Sequence, residues 1–475
     1  MDKFLVYDVV LLVLFVLFMS WFLYTRKHNL KKEGLLYLYR AQWGVKLIDT
    51  IGKKYKKTLT FFSYVAIIVG YILMASMIYL FGRIVWIYIF EPAIVQQIKV
   101  PPIIPLIPYL PQIFKLDFLP PFYFTYWIII LAVVAITHEF AHGIFMKRYN
   151  IKIKSTGFGF FPWFLPIFLA AFVEQDEKSM NKAKNFEQRA VLAAGTFANI
   201  LTSILFLFVL WGFFSLAYNP VGVQFDNYAY GVVNISMISS INNMPVHNPT
   251  IQDILGKATN ESLNDITIGD QEFIADKEFL QKQENNTGLI ILYLDAPAAR
   301  SRMIGAISEI DNNKITNINE LGLALNKYSP GDKIKVKTLT ADGESNYEIT
   351  LGEYPGNFSR AWLGVAFADR SGSGIRGLIY SVMSSFKNPN TYYAPLFGAA
   401  DYIYNLLWWM ILICISVALV NMLPMGIFDG GMFFYLTILS ITKNEKIAKV
   451  AFVGVTYFIL FLIFLLMAFW AIAIF

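Results

Sequence analysis

The chain has 475 residues, of which 56% are hydrophobic and 15% charged, and its formal net charge is +6. So apolar a composition excludes an ordinary water-soluble domain. The single cysteine, Cys414, sits in an apolar run, so neither an intrachain disulfide nor a cysteine-held metal is available. The positive charge is divided among separate loops and is no sign of a nucleic-acid partner.

Windows of roughly 20 apolar residues predict about six transmembrane helices, near 4–24, 60–82, 124–147, 188–214, 402–424 and 450–474. The first belongs to "MDKFLVYDVVLLVLFVLFMSWFLYTRKHNLKK". Its basic cluster follows the apolar run and no small-residue cleavage site is present, so it is expected to be a retained signal anchor. Two more apolar stretches, "VPPIIPLIPYLPQIF" and "STGFGFFPWFLPIFLAAFV", are too rich in proline and glycine for regular helix. They are expected to be interfacial or re-entrant elements, one on each side of the bilayer.

Orientation follows from lysine and arginine. The loop after the first span carries Arg26, Lys27, Lys31, Lys32, Arg40, Lys46, Lys53, Lys54, Lys56 and Lys57. The loop after the third begins with Lys147, Arg148, Lys152 and Lys154, and the loop before the sixth has Lys443, Lys446 and Lys449. An external N-terminus puts all three loops in the cytoplasm. The long segment 218–375 then lies outside. There the apolar runs shorten to strand length, as in "GLIILYL" and "KIKVKTL", which marks an inserted soluble α+β domain. Within it, "LDAPAARSRMIGAISEIDNNKITNINELGLALNKYSPGDKIKVKTL" resembles a PDZ domain, and "ISSINNMPVHN" upstream echoes "ISEIDNNKITN".

The third span ends in "AITHEFAHGIF". Residues four apart share a helical face, so His138 and His142 can offer two imidazoles to one metal ion. Glu139, displaced around the helix, can act as general base on a water in the same site. Ionisable groups inside a membrane are costly and usually functional, which favours this reading over packing. A catalytic zinc site needs a third protein ligand. The strongest candidate is Asp429 in "NMLPMGIFDGG", because the third and fifth spans both run inward and bring the two motifs to the cytoplasmic leaflet.

Together these features resemble the site-2 protease family of intramembrane zinc metalloproteases, whose second motif is Asn-x-x-Pro-x-x-x-x-Asp-Gly. Asn421, Pro424, Asp429 and Gly430 match it. "AAGTFANI" resembles the Ala-Gly-Pro-x-x-Asn element of the family's next core helix, with Thr196 where proline is usual, and "AAFVEQDE" resembles the hairpin before it. The resemblance implies one zinc ion held by His138, His142 and Asp429, with Glu139 as base. It also implies substrate contacts at Asn421, and Pro424 and Asn199 join the expected substrate-binding set. The implied substrates are single-pass transmembrane proteins in the lipid bilayer, already trimmed in some cases by a site-1-type protease. The expected division is a two-helix membrane region (1–120), a catalytic core in two parts (121–217 and 376–475), and the external PDZ-like domain (218–375). Two other classes fit the same residues: a metal-binding membrane transporter, and a PDZ scaffold with a vestigial zinc site.

Overall fold

The computed structural model describes residues 3–474, apart from 27, 29, 34–35, 42–43, 92–94, 96–100, 103, 117, 161–168, 261, 286–287, 341 and 369–372. The middle of the Gly/Pro-rich stretch 155–173 therefore lies outside the described residues. The chain divides into two compact units, Met1–Phe214 with Asp401–Phe475, and Ser215–Ala400.

The first unit is helical. Among the described residues, 6 helices are long and apolar enough to cross a membrane. They are α1 (Lys3–Thr25), α3 (Lys56–Phe90), α4 (Phe124–Arg148), α5 (Asn185–Ala217), α6 (Ala400–Asn421) and α8 (Glu445–Ile474). A short helix α2 (Val45–Lys54) precedes α3, and α7 (Asp429–Thr442) follows α6. Large apolar side chains such as Leu17, Phe61, Phe208 and Phe464 stand exposed on these helices, which suits an apolar solvent and not water.

Among the described residues three buried clusters hold the unit together, one of them around Phe81, Leu423 and Ile459, and the other two position the site. One packs Ile48 of α2, Ala66 and Leu73 of α3, Phe145 of α4, Ala193 of α5 and Phe433 of α7. Although α3 was expected to lie outside the catalytic core, it shares this cluster. The second packs Tyr126, Trp127 and Ile130 of α4 against Trp409, Met410 and Ile413 of α6.

The start of α4 is tied down by α1. The first turn of a helix leaves backbone N–H groups unpartnered. Asp8, buried in α1, accepts from Phe124 N–H at 2.7 Å and Thr125 N–H at 3.0 Å. It also accepts from the Tyr109 hydroxyl at 2.7 Å, which anchors the proline-rich stretch. Burial, reinforced by the Asp8 hydrogen bond, raises the Tyr109 phenol well above its ordinary range, so it remains the donor. Among its described residues, the proline-rich stretch is irregular apart from a short turn of helix at Leu110–Ile113.

Four antiparallel strands complete the unit in the order β1 (Leu30–Glu33), β2 (Leu36–Ala41), β3 (Ile153–Phe160) and β4 (Leu169–Gln175). Arg40 pairs in register with Gly157, and Gly157 with Phe172. The basic loop after α1 thus extends the hairpin that follows α4, and among the described residues β4 is an edge.

The second unit contains two main β-sheets. One joins the hairpin Lys333–Thr340/Gly343–Thr350 to Ala306–Ile310, Tyr218–Val223 and Thr391–Pro395. The last pairing carries this unit to Ala400, past the expected boundary at 375. The other sheet joins Tyr230–Asn234, Leu289–Leu294, Gln271–Ala275, Asn264–Ile268, Ser240–Ile241 and Met244–Pro245. Each sheet has its own core, around Ile307 and Val336 in the first and Ile241 and Ile266 in the second.

The two halves repeat one element order. A tight hairpin turns through two positive-φ residues, Asn242–Asn243 in one copy and Asp311–Asn312 in the other, the backbone of a type I′ turn. A capped helix follows, Ile251–Lys257 after Thr250 and Ile318–Leu325 after Asn317. A second hairpin closes each copy. The sequence echo is therefore also a structural one.

Candidate metal centre

Helix α4 presents His138 and His142 one turn apart, both buried. Their Nε2 atoms are 3.0 Å apart. Asp429, the first residue of α7, brings Oδ2 to 3.3 Å from His138 Nε2 and 3.2 Å from His142 Nε2. Zinc bonds of 2.0–2.2 Å at tetrahedral angles set ligand atoms about 3.3 Å apart, so the spacing of this triangle fits that ion.

The back of the triangle is Gly195 on α5. A Cβ there would come within 2.4 Å of His142 Nε2 and 2.6 Å of His138 Nε2. Any side chain at 195 would occupy the space where the donor atoms converge. On the Asp429 side, Gly430 serves close packing: a Cβ would meet the Met422 carbonyl oxygen at 2.5 Å. This lets the start of α7 fold back on the turn after α6 and aim Asp429 inward.

The far ring nitrogens are also placed. A neutral histidine that ligates through Nε2 carries its proton on Nδ1 and needs an acceptor there. For His142 this is the Val191 carbonyl, at 2.7 Å. For His138 it is the Asn199 amide, whose nitrogen lies 3.1 Å from Nδ1. Its Oδ1 is buried without a partner. Turning the amide over exchanges the two atoms, which satisfies both the ring N–H and the stranded oxygen.

Glu139 lies beside the triangle, and its Oε2 accepts from Val173 N–H on β4 at 2.9 Å. His138, His142, Asp429, Glu139, Asn421 and the β4 residues Ala171–Gln175 line one cavity of about 790 Å³. Of the expected substrate contacts, Asn421 is in that lining. Asn199 is instead against His138, and Pro424 is buried in the turn between α6 and α7. Sequence reasoning gave no role to Gly195, Val191 or Val173, although Gly195 is the glycine of the matched Ala-Gly-Pro-x-x-Asn element. The small-residue run Ala193, Ala194, Gly195 carries a signal for close helix approach; a backbone donor such as Val173 leaves none in the residue type.

A bundle of apolar helices that gathers two histidines, an aspartate and a hydrogen-bonded glutamate around one cavity has the donor set of a membrane metallohydrolase. The sequence profile of Peptidase family M50, the site-2 protease family, matches residues 126–466. The chain belongs to this family of membrane zinc metalloproteases. The match begins within α4, so α1–α3 and the proline-rich stretch lie outside it. No curated protein sequence matches the chain.

Proposed function

We propose that this metalloprotease hydrolyses a peptide bond within or beside a transmembrane helix of a single-pass substrate protein. One zinc ion is held by His138, His142 and Asp429, and Glu139 is the general base. The observation that carries this reading is that the ligand triangle and Glu139 open on one cavity within a bundle of apolar helices.

When bound, zinc supplies a Lewis acid that polarises a carbonyl and makes hydroxide available near pH 7. Glu139 takes a proton from the attacking water and returns it to the leaving amine. Asn199 and Val191 hold the two imidazoles in their ligating tautomers. A helical peptide bond is protected by its own hydrogen bonds, so the substrate must unwind and find new partners. Asn421 can donate and accept such bonds, and the edge of β4 can pair with an extended segment.

From the basic loops we assign the N-terminus and the second unit to the outside of the cell and the active site to the cytoplasmic leaflet. The repeated hairpin–helix–hairpin order favours two PDZ-like copies in the second unit. We assign that unit to substrate filtering, and a substrate shortened by a site-1-type protease would pass it. The process is regulated intramembrane proteolysis in this reading.

The test uses the purified full chain, zinc and a single-pass reporter in liposomes. Zinc-dependent fragments whose ends map inside the reporter's apolar segment support the proposal. A reporter left intact favours the transporter or the scaffold with a vestigial site, and a cut that persists in Glu139→Gln overturns the assigned chemistry.

A further inference from the structure

A second cavity, of about 500 Å³, lies between the proline-rich stretch and α6. Leu106, Leu110 and Phe122 form one wall. The other wall is a single stripe of α6: Trp409, Leu412, Ile413, Ser416, Val417 and Asn421, which recur at three- and four-residue spacing on one helical face. Val417 and Asn421 also line the cavity that holds His138, His142 and Asp429, so the two cavities adjoin on this stripe.

The proline-rich wall is built into the fold. Trp127 Nε1–H donates to the Leu106 carbonyl at 3.0 Å and Trp409 Nε1–H to the Pro121 carbonyl at 3.2 Å. Tyr109 N–H donates to the Phe122 carbonyl at 2.7 Å, and the Tyr109 hydroxyl to Asp8. The composition explains why an irregular segment can lie there. Each proline lacks an N–H, so a chain rich in proline brings fewer unpartnered donors into apolar surroundings.

We propose that this chamber receives the apolar residues on one side of the substrate's scissile bond and sets which transmembrane segments are cut. This rests on the proteolytic reading above and adds a specificity site to it. Continuity with the catalytic cavity through Val417 and Asn421 is the reason to seat substrate there and not a lipid acyl chain. Size narrows the occupant. One helical turn with its side chains, about 10 Å across and 5.4 Å long, fills on the order of 400 Å³. The chamber therefore takes about four residues and not a whole transmembrane helix.

The test compares two single-pass reporters that carry either four leucines or four alanines beside the mapped cleavage site. The wild-type chain should cut the leucine reporter with the higher kcat/KM. Leu412→Trp, which narrows the chamber, should lower kcat/KM for the leucine reporter about 10-fold or more while changing the alanine reporter less than about 3-fold, the scale on which apolar pockets discriminate. Leu412→Phe, a smaller change, should shift the preference in the same direction. Bound zinc should be unchanged in both. Equal loss on the two reporters, or no shift in preference, overturns the proposal. A benzoylphenylalanine crosslinker at Leu110 in the Glu139→Gln chain gives an independent reading. Adducts with the reporter's apolar segment support the chamber assignment, and adducts with lipid alone overturn it. If the wild-type chain cuts neither reporter, the proteolytic reading fails, and the crosslink still decides what the chamber holds.

Discussion

The backbone N–H of Val173 donates to Glu139 Oε2 at 2.9 Å, so β4 holds the side chain proposed as the base. The donor faces away from β3, where an edge strand tolerates proline. Val173→Pro should therefore keep the sheet and bound zinc and lower kcat by about 10-fold, through loss of one charge-assisted hydrogen bond. Glu139→Gln should also keep zinc and lose roughly 10²–10⁴-fold in rate. Metal content with single-turnover kinetics checks both, and near-normal turnover of Glu139→Gln removes Glu139 from the role of base.

Gly195 is the second prediction. A methyl group there would lie 2.4 Å from His142 Nε2, closer than ordinary contact distance, and α5 is held by a core on both sides of that point. Gly195→Ala should insert and fold yet bind zinc at least ten-fold more weakly, because it displaces the imidazoles from the triangle. Competition against a zinc chelator measures this. Unchanged affinity would mean that the donors converge elsewhere.

Much of this site was legible in the sequence. The spacing of His138 and His142 reports one helical face, and Asp429 follows an apolar run whose direction could be counted. What was not legible depends on contacts between distant segments. Asp8 stands out as an acid in an apolar run, but its partners Tyr109 and Phe124 lie about a hundred residues away. The strands "LKKE" and "LYLYRA" are too short to signal themselves and exist through pairing, "LYLYRA" with β3 and "LKKE" with "LYLYRA". The Thr391–Pro395 strand is likewise defined by its partner Tyr218–Val223, a pairing that no local signal announces. Asn199 matched a motif, but only the position of His138 Nδ1 reveals what it touches.

Asp8 supplies the third prediction. Asp8→Ala removes acceptors for the Tyr109 hydroxyl and for the first two N–H groups of α4. Loss of a cap and a buried acceptor should cost about 2–4 kcal/mol, seen as a lower midpoint of thermal or denaturant unfolding in detergent. Asp8→Asn retains one acceptor oxygen and should recover part of the loss. Equal stability of all three chains would show that the anchor contributes nothing.

Topology gives the fourth. With Cys414 buried and replaced by serine, single cysteines at Lys57 and Asn285 should react with membrane-impermeant maleimide from opposite faces. The cysteine at 285 should label in intact cells, and the one at 57 only after permeabilisation. Labelling of both from the same face would break the proposed orientation.

The central claim is that His138, His142 and Asp429 together hold a catalytic zinc ion, and Asp429 is the ligand that only the fold brings to the other two. With two protein ligands the ion would be weakly held. The most direct test is zinc content by elemental analysis of the purified wild-type and Asp429→Ala chains after dialysis against a chelator, with reporter cleavage measured on the same samples. The account predicts about one zinc per wild-type chain, a large loss of zinc in Asp429→Ala, and no cleavage by the variant. An Asp429→Ala chain that keeps one tightly bound zinc and cuts the reporter would contradict it.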